Sequence, residues 1–339
     1  MTASSRYARQ AALGEIGNAG QKALSESAIL IVGCGALGSA QGELLARAGV
    51  GRLILVDRDV LELHNLQRQL LFDEKDVADR LPKAVAAARR LRAVNSEIVI
   101  DDIVADVTAA NVTDLVRSAD LIMDGTDNFE TRYILNDAAV QAGKPYVYGG
   151  VLGTEGAVLA VRPGQGPCLR CIFPDPPDAW RLPTCETRGV LNTAVVWVAA
   201  LQATEAIKLL VHAPETNTSL YALDIWSGSI RMFRTQRNKD CVCCVHHRFE
   251  YLSGERQVSS TVFCGRNAVQ VTLQGQTAPD FAQLRERLAP IGEVTVNGLL
   301  LEFTCGAQRM VLFPDGRVLV MGTTDTAEAR SLVARYIGS

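Results

Sequence analysis

Residues 29–57 read ILIVGCGALGSAQGELLARAGVGRLILVD. The opening run, 29–32, is apolar and partly β-branched, the pattern of a buried strand. Gly33, Gly35 and Gly38 follow in G-x-G-x-x-G spacing. Residues 39–48 read as a helix that Gly49 ends, and 53–56 as a second strand that stops at Asp57. This is a βαβ unit with a dinucleotide-type fingerprint in its required context. Glycines suit the chemistry because backbone must approach phosphate closely, at a helix N-terminus that favours anions. Asp57 lies about 20 residues past the last glycine, where a carboxylate accepts hydrogen bonds from a ribose hydroxyl. A tight strand-to-helix turn without a ligand has the same outline.

Beyond Asp57 the chain continues RDVLELHNLQRQLLF. His64, Asn65, Gln67, Arg68 and Gln69 are packed between apolar residues there, a polar density that suits a triphosphate as well as a solvated turn. Arg68 is the best cation for phosphate, because its fork matches the oxygens. Pro82 opens a helix over 83–94 and puts Lys83 in its first turn. The helix dipole disfavours a cation there, so Lys83 serves either a ligand anion or the open surface. Strand 98–104, helix 107–117 and strand 120–124 follow, and then GTDN. Ligands of open parallel sheets sit beyond the carboxyl ends of strands, which places Asp127 and Asn128 toward the nucleotide. A carboxylate there can hold Mg²⁺ between phosphates, and an Asx turn capping helix 129–142 is compatible with that role. Residues 145–150 and 157–162 read as further strands.

A metal signature comes next. Cys168-Leu-Arg-Cys171 is one C-x-x-C pair, and Cys241-Val-Cys-Cys244 supplies another about 70 residues later. Two such pairs predict a tetrahedral four-thiolate zinc site. Cys243, His246 and His247 are alternative ligands. Between the pairs lies PDPPDAWRLPTCETRGVL, whose prolines and lack of periodicity predict a loop. Cys185 in that loop, beside Arg188, reads either as a nucleophile or as an ordinary thiol.

The 339 residues suffice for one large α/β domain of about 250 residues and a small second one. A net charge of -3 gives no global basic character that would point to nucleic acid. The first ten residues have no apolar signal-peptide core. The most apolar stretch, 194–211, carries Gln202, Thr204, Glu205 and Lys208, which favours a buried helix over a membrane span. Nine cysteines without a secretion signal predict thiol or metal chemistry in a reducing, cytoplasmic setting. Residues 6–21 read as a leading segment and helix, 193–210 as a long helix and 219–225 with 229–234 as a hairpin. The polar stretch 251–257 reads as a linker between a domain at 1–250 and a small α+β domain at 258–339. In the latter we expect strand 269–273, helix 280–288, strands 293–305, 310–313 and 318–320, and helix 326–336. Cys264 and Cys305 read as packed thiols.

RYARQ, GCGALG, DRDVLELHNLQRQ, GTDN, the two C-x-x-C pairs and TCETRGVL together resemble the ubiquitin-activating-type superfamily of the ThiF, MoeB and HesA kind. The resemblance covers residues 5 to 250. It implies a Rossmann-like, doubly wound, mostly parallel α/β sheet with structural zinc. It implies ATP and Mg²⁺, and adenylation of the C-terminal carboxylate of a ubiquitin-like sulfur carrier ending in Gly-Gly, with release of pyrophosphate. Carried over by position, Gly33, Gly35, Ala36 and Gly38 lie at the nucleotide and Asp57 holds the ribose. Asp59, Asn65, Gln67, Arg68, Lys83 and Asn128 belong to the same nucleotide set. Asp127 binds magnesium, and Lys83 reaches the α-phosphate. Arg9 matches an arginine contributed by the partner subunit, which implies a homodimer. Cys185 aligns with a loop cysteine that takes the acyl group or a sulfur in some members. Arg80-Leu81-Pro82-Lys83 departs from the usual Gly-(Lys/Gln)-Pro-Lys. The C-terminal domain lacks a rhodanese-type cysteine loop, so sulfur would come from a separate sulfurtransferase. Four alternatives stand beside this reading, the last a non-catalytic scaffold, against which the intact set of charged residues argues. One is activation for protein conjugation, with Cys185 forming a thioester and a conjugating enzyme as partner. The second is adenylation of a peptide product, and the third an NAD(P) oxidoreductase.

Overall fold

The computed structural model describes residues 5–176, 188–214, 218–256, 262–263, 268–272, 279–306 and 308–337. The chain divides into two compact units, Met1–Gln257 and Val258–Ser339. The first unit begins with helices α1 (Ala8–Ala11) and α2 (Gly17–Glu26), then β1 (Ala28–Val32), α3 (Ala36–Ala48) and β2 (Arg52–Asp57). Next come α4 (Glu74–Ala78), α5 (Lys83–Val94), β3 (Val99–Val104), α6 (Val112–Arg117), β4 (Leu121–Asp124) and α7 (Phe129–Ala142). The unit continues with β5 (Tyr146–Leu152), β6 (Glu155–Val161), α8 (Leu169–Ile172), α9 (Asn192–Leu210), β7 (Leu220–Asp224) and β8 (Ser229–Phe233).

These strands form one sheet in the order β3-β2-β1-β4-β5-β6-β7-β8. The first five are parallel: Ile29 pairs with Leu53 on one side and Leu121 on the other. From β5 to β8 the pairing is antiparallel. The strand order reverses between β1 and β4, the place where doubly wound sheets open a crevice. Ile29, Ile31, Leu53 and Leu55 pack with Leu45 and Leu91 into one core. Each such side chain stabilises the fold by about 1.5–3 kcal/mol on burial.

The glycines of the fingerprint have separate reasons. Gly33 has φ +85°, and a Cβ there would lie 2.6 Å from the Gly125 carbonyl oxygen. A Cβ on Gly38 would lie 1.8 Å from the Gly33 oxygen, so only glycine lets α3 approach β1. At Gly35 a Cβ would meet no atom closer than Gln69 Nε2 at 3.8 Å, so the folded chain itself leaves room there.

Several boundaries differ from the sequence reading. Residues 6–21 split into α1 and α2, with Gly17 at φ +61° starting the second. Helix α6 starts five residues later than expected, because the Asn111 side chain accepts from Thr108 N and donates to Asp106 O, making a turn instead. Helix α9 is long and apolar enough to cross a membrane by length and composition. It packs instead on α3, β5 and β6, with Ala194, Val195, Val198 and Ala199 buried. Its Gln202 donates to Asp124 O at 2.9 Å and Val147 O at 3.2 Å. Tyr251, read as the start of a linker, is buried, packs its ring at a tilt against Tyr133 with centroids 4.8 Å apart and donates its amide to Asp137.

In the second unit, β9 (Val262–Phe263) and β10 (Ala268–Thr272) precede α10 (Phe281–Leu288), β11 (Glu293–Val296), β12 (Leu301–Cys305), β13 (Gln308–Leu312), β14 (Arg317–Met321) and α11 (Thr326–Tyr336). The sheet is antiparallel in the order β11-β12-β13-β14-β10-β9. Residues 293–305, expected as one strand, form a hairpin, because Asn297-Gly298, with Gly298 at φ +83°, turns the chain. Phe303, Met310, Val318 and Leu332 centre its core. Asp280 and Asp325 cap the two helices through backbone amides.

Candidate active site

The crevice beyond β1 and β4 gathers most of the residues singled out from the sequence. Helix α3 has Gly35 as its N-cap residue and so no side-chain cap. Its first backbone N–H groups therefore face the crevice without intrahelical partners, which is an anion seat. Asp57 closes the loop from below. One of its oxygens accepts Cys34 N at 2.6 Å and the other accepts Asp59 N at 2.7 Å. The same carboxylate that suits a ribose thus fixes the glycine-rich backbone. Burial pushes the Asp57 carboxyl up, against the pull of Lys83 and of these two amides.

Lys83 is neither on the surface nor free. It is 3% exposed, its Nζ lies 2.9 Å from Asp59 Oδ2, and its amide donates to Asp59 O. Pro82 holds this register through a bridge to Val60. Beside the pair stands Arg58, which the sequence reading missed; it meets Asp106 Oδ1 at 2.9 Å. Burial opposes the Arg58 charge, yet the carboxylates of Asp106, Asp59, Asp127 and Asp57 outweigh it and raise its pKa. Burial, then Asp106, raises the Glu130 carboxyl, with Arg58 opposing. Asp106 sits just beyond the carboxyl end of β3, a position at which strand-end reasoning would have found it.

Asn65 is buried; its Oδ1 accepts Glu62 N at 3.1 Å and its Nδ2 has no partner among the described residues. Arg68 is half-buried and its guanidinium donates to His64 O at 2.9 Å, whereas Gln67 is exposed. Asp127 is exposed at the rim. Asn128 caps α7 by accepting Thr131 N at 2.8 Å. Arg9 is exposed on α1 and forms no hydrogen bond or ion pair among the described residues. Cys185 lies outside the described residues; its neighbour Arg188 pairs with Glu155 at 3.1 Å.

Under the loop carrying Asp127 sits a second group the sequence did not announce. Arg132 is buried between the rings of Phe129 and Tyr148 and donates to Thr126 O at 2.8 Å and Gly149 O at 3.2 Å. It faces Asp124 at 3.4 Å, which also accepts from Thr126 and from Tyr146 OH at 2.7 Å. Burial raises the Asp124 carboxyl and Arg132 opposes that rise. Arg132→Met removes the cation and leaves the carboxylate buried, so it is expected to cost about 3–5 kcal/mol of stability. Urea unfolding measures this; a loss under about 1 kcal/mol would mean that the pair does not hold the loop.

The four cysteines of the two pairs converge. Their Sγ atoms all lie within 4.8 Å of one another. Cys168 is 3.9 Å from Cys171 and 3.6 Å from Cys241, and Cys171 is 3.4 Å from Cys244. Zinc–thiolate bonds of about 2.3 Å put tetrahedral sulfurs about 3.8 Å apart, so the quartet fits the metal. Cys243 is outside it and accepts Asn136 Nδ2 at 3.3 Å through sulfur. His246 and His247 are exposed and outside it as well. Asn136 also accepts Leu169 N at 2.8 Å, so α7 carries the thiolate site along its length while its first turn faces the crevice.

An uncapped helix terminus at the switch point of a parallel sheet, rimmed by carboxylates and a buried ammonium and stapled by four thiols, defines a nucleotide-binding α/β enzyme domain. The ThiF family profile matches residues 7–244. The sulfur carrier protein ThiS adenylyltransferase of Bacillus subtilis is 43% identical over 336 residues, covering 98% of this chain and 99% of that one. The sulfur carrier protein adenylyltransferase of Thermus thermophilus is 37% identical over 245 residues, 70% of this chain and 90% of that one. Among solved structures, E. coli MccB with MccA-N7isoASN matches with a TM-score of 0.62 at 25% identity, over 71% of this chain and 75% of that chain. The chain belongs to the ThiF family and is an adenylyltransferase.

Proposed function

We infer that this chain uses ATP to adenylate the C-terminal carboxylate of a ubiquitin-like sulfur carrier ending in Gly-Gly. The observation that carries this reading is the 43% identity to the B. subtilis ThiS adenylyltransferase, which runs through both units of the chain. In the reaction a carrier carboxylate oxygen attacks the α-phosphorus. The new bond is an acyl phosphate, the bond to the β-phosphate oxygen breaks, and pyrophosphate leaves. Two anions must meet, so the chemistry needs positive charge aimed at the α-phosphate. Lys83 and Arg68 carry that charge, and the α3 N-terminus adds its dipole. Asp57 takes the ribose through lone pairs that its two amide bonds leave open. Asp127 would hold Mg²⁺, which would supply positive charge against the triphosphate. Arg9, exposed and unpaired among the described residues, reaches the site of a second copy in a homodimer.

A sulfur nucleophile on a separate sulfurtransferase then attacks the activated carbonyl carbon, the acyl–phosphate bond breaks and AMP leaves, for thiamine, molybdopterin or thiolation chemistry. None of the described cysteines is in a disulfide, which suits a reducing cytoplasm. No observation favours the conjugation or oxidoreductase readings. The test is mass spectrometry of a Gly-Gly carrier incubated with the chain and ATP. An adenylate on the intact carrier, absent when the last glycine is removed, is the expected result. An unmodified carrier alongside a hydride-transfer activity would overturn the reading.

A further inference from the structure

Arg58 is a charged group of the crevice that the mechanism does not use. Its side chain is only 24% exposed, and its Nη1 donates to Asp106 Oδ1 at 2.9 Å. Its place in the sheet gives the direction. A nucleotide is a line of phosphates, sugar and base, and the strand order β3-β2-β1 offers the seats in line. The start of α3, just past β1, seats the phosphates, and Asp57 at the end of β2 takes the ribose. The base therefore falls past Asp57, over the ends of β2 and β3. Arg58 follows Asp57 directly and Asp106 lies just beyond β3, so their pair marks this spot. Charge agrees with it. Burial and Asp106 raise the carboxyl of Glu130, in the first turn of α7, and Arg58 opposes that rise. Two carboxylates around one cation make this end of the crevice unsuited to phosphate and leave it to the uncharged base. With its charge answered by carboxylates and its edge engaged by Asp106, the guanidinium still offers its flat face, which stacks on aromatic rings.

We propose that Arg58, held by Asp106, is the face on which the base of the nucleotide stacks. This rests on the nucleotide reading of the same crevice and deepens it. The Arg58–Asp106 pair fixes the base, while Lys83 and Arg68 carry charge at the phosphates.

Calorimetric titration of ATP, adenosine and tripolyphosphate into wild type, Arg58→Lys and Arg58→Phe tests this without any carrier. Arg58→Lys keeps the charge and loses the plane, whereas Arg58→Phe keeps a plane and loses the charge. Stacking predicts that Arg58→Lys weakens ATP and adenosine alike, by about tenfold, and leaves tripolyphosphate within about twofold. It also predicts that Arg58→Phe binds adenosine more tightly than Arg58→Lys does. Arg58→Lys that binds adenosine within about twofold of wild type, or Arg58→Phe that binds it more weakly than Arg58→Lys, would overturn the proposal. The arginine would then be only a counter-charge to Asp106. An equal loss of tripolyphosphate in Arg58→Lys would overturn it as well, because the group would then act on the phosphates. If Arg58→Phe fails to fold, Arg58→Gln, with a flat uncharged amide, carries the same comparison. Wild type that binds no ATP would sink this inference and the nucleotide reading together. Wild type that binds ATP but adenylates no carrier would sink the functional reading alone, and the Arg58 variants would still decide this one.

Discussion

Lys83→Ala is expected to lower carrier-dependent ATP–pyrophosphate exchange on the order of 10²–10³-fold, the range seen when one preorganised group that stabilises developing charge is removed. The reason lies in how the ammonium is held. It is 3% exposed, anchored by Asp59 Oδ2 at 2.9 Å, and sits in the first turn of α5, where no helix-dipole advantage explains a cation. Asp59 offsets part of its charge, so what Lys83 offers an anion in the crevice is a fixed, little-screened N–H donor held in place by that pair. Arg68→Ala should act in the same direction but less steeply, because Arg68 is half-exposed and rests on a backbone carbonyl. Arg68→Ala should leave the fold intact, whereas Lys83→Ala also leaves Asp59 without its ion-pair partner, so exchange by that variant is compared at equal folded fraction. Exchange within tenfold of wild type for Lys83→Ala would mean that the ammonium is only the partner of Asp59.

Cys244→Ser is expected to abolish zinc binding by the quartet and to lower the thermal midpoint on the order of 10–20 °C, from a metal contribution of about 5 kcal/mol in a unit with its own core. The thiolate quartet ties the turn after β6 to the segment after β8. Helix α7 bears on both through Asn136, bonded to Leu169 N and Cys243, and through Asp137, bonded to Tyr251 N. Because α7 begins at Asn128, beside Asp127, slack at the metal end also loosens the rim of the crevice. Metal analysis with scanning calorimetry checks this. One zinc per wild-type chain, none in the variant and a large fall in midpoint are expected. An unchanged midpoint after loss of the metal would make the site incidental to stability.

The parts of this fold that the sequence exposed are those governed by local rules. Helices α5 and α7 fall where Pro82 and the Asn128 cap put them, and α11 spans the expected 326–336. The β1–α3–β2 unit was legible because Gly33 and Gly38 answer hard steric demands within a few residues of each other. The cysteine spacing was enough to call the quartet, but only packing against Asn136 could decide that Cys243 stands apart. The hairpin at Asn297-Gly298 was missed although the dipeptide is a strong turn signal, because the apolar run on both sides reads as continuous. Arg132 and Asp124 were not legible at all. Their side-chain partners lie up to 22 residues away in sequence, and an arginine inside a helical pattern looks like a solvated face until β5 lies beside it. Gln202 was flagged only as a polar residue in an apolar helix, and its backbone partners on β4 and β5 come from topology rather than from pattern.

The most direct measurement of the central claim is ATP–pyrophosphate exchange by the purified chain with sulfur carrier proteins ending in Gly-Gly, run beside Cys185→Ala. The account predicts exchange that requires a carrier, collapses in Lys83→Ala and persists in Cys185→Ala, because adenylation precedes any transfer to a thiol. Absence of exchange with every such carrier, together with tight NAD(P) binding in the crevice over Gly33 to Gly38, would contradict it.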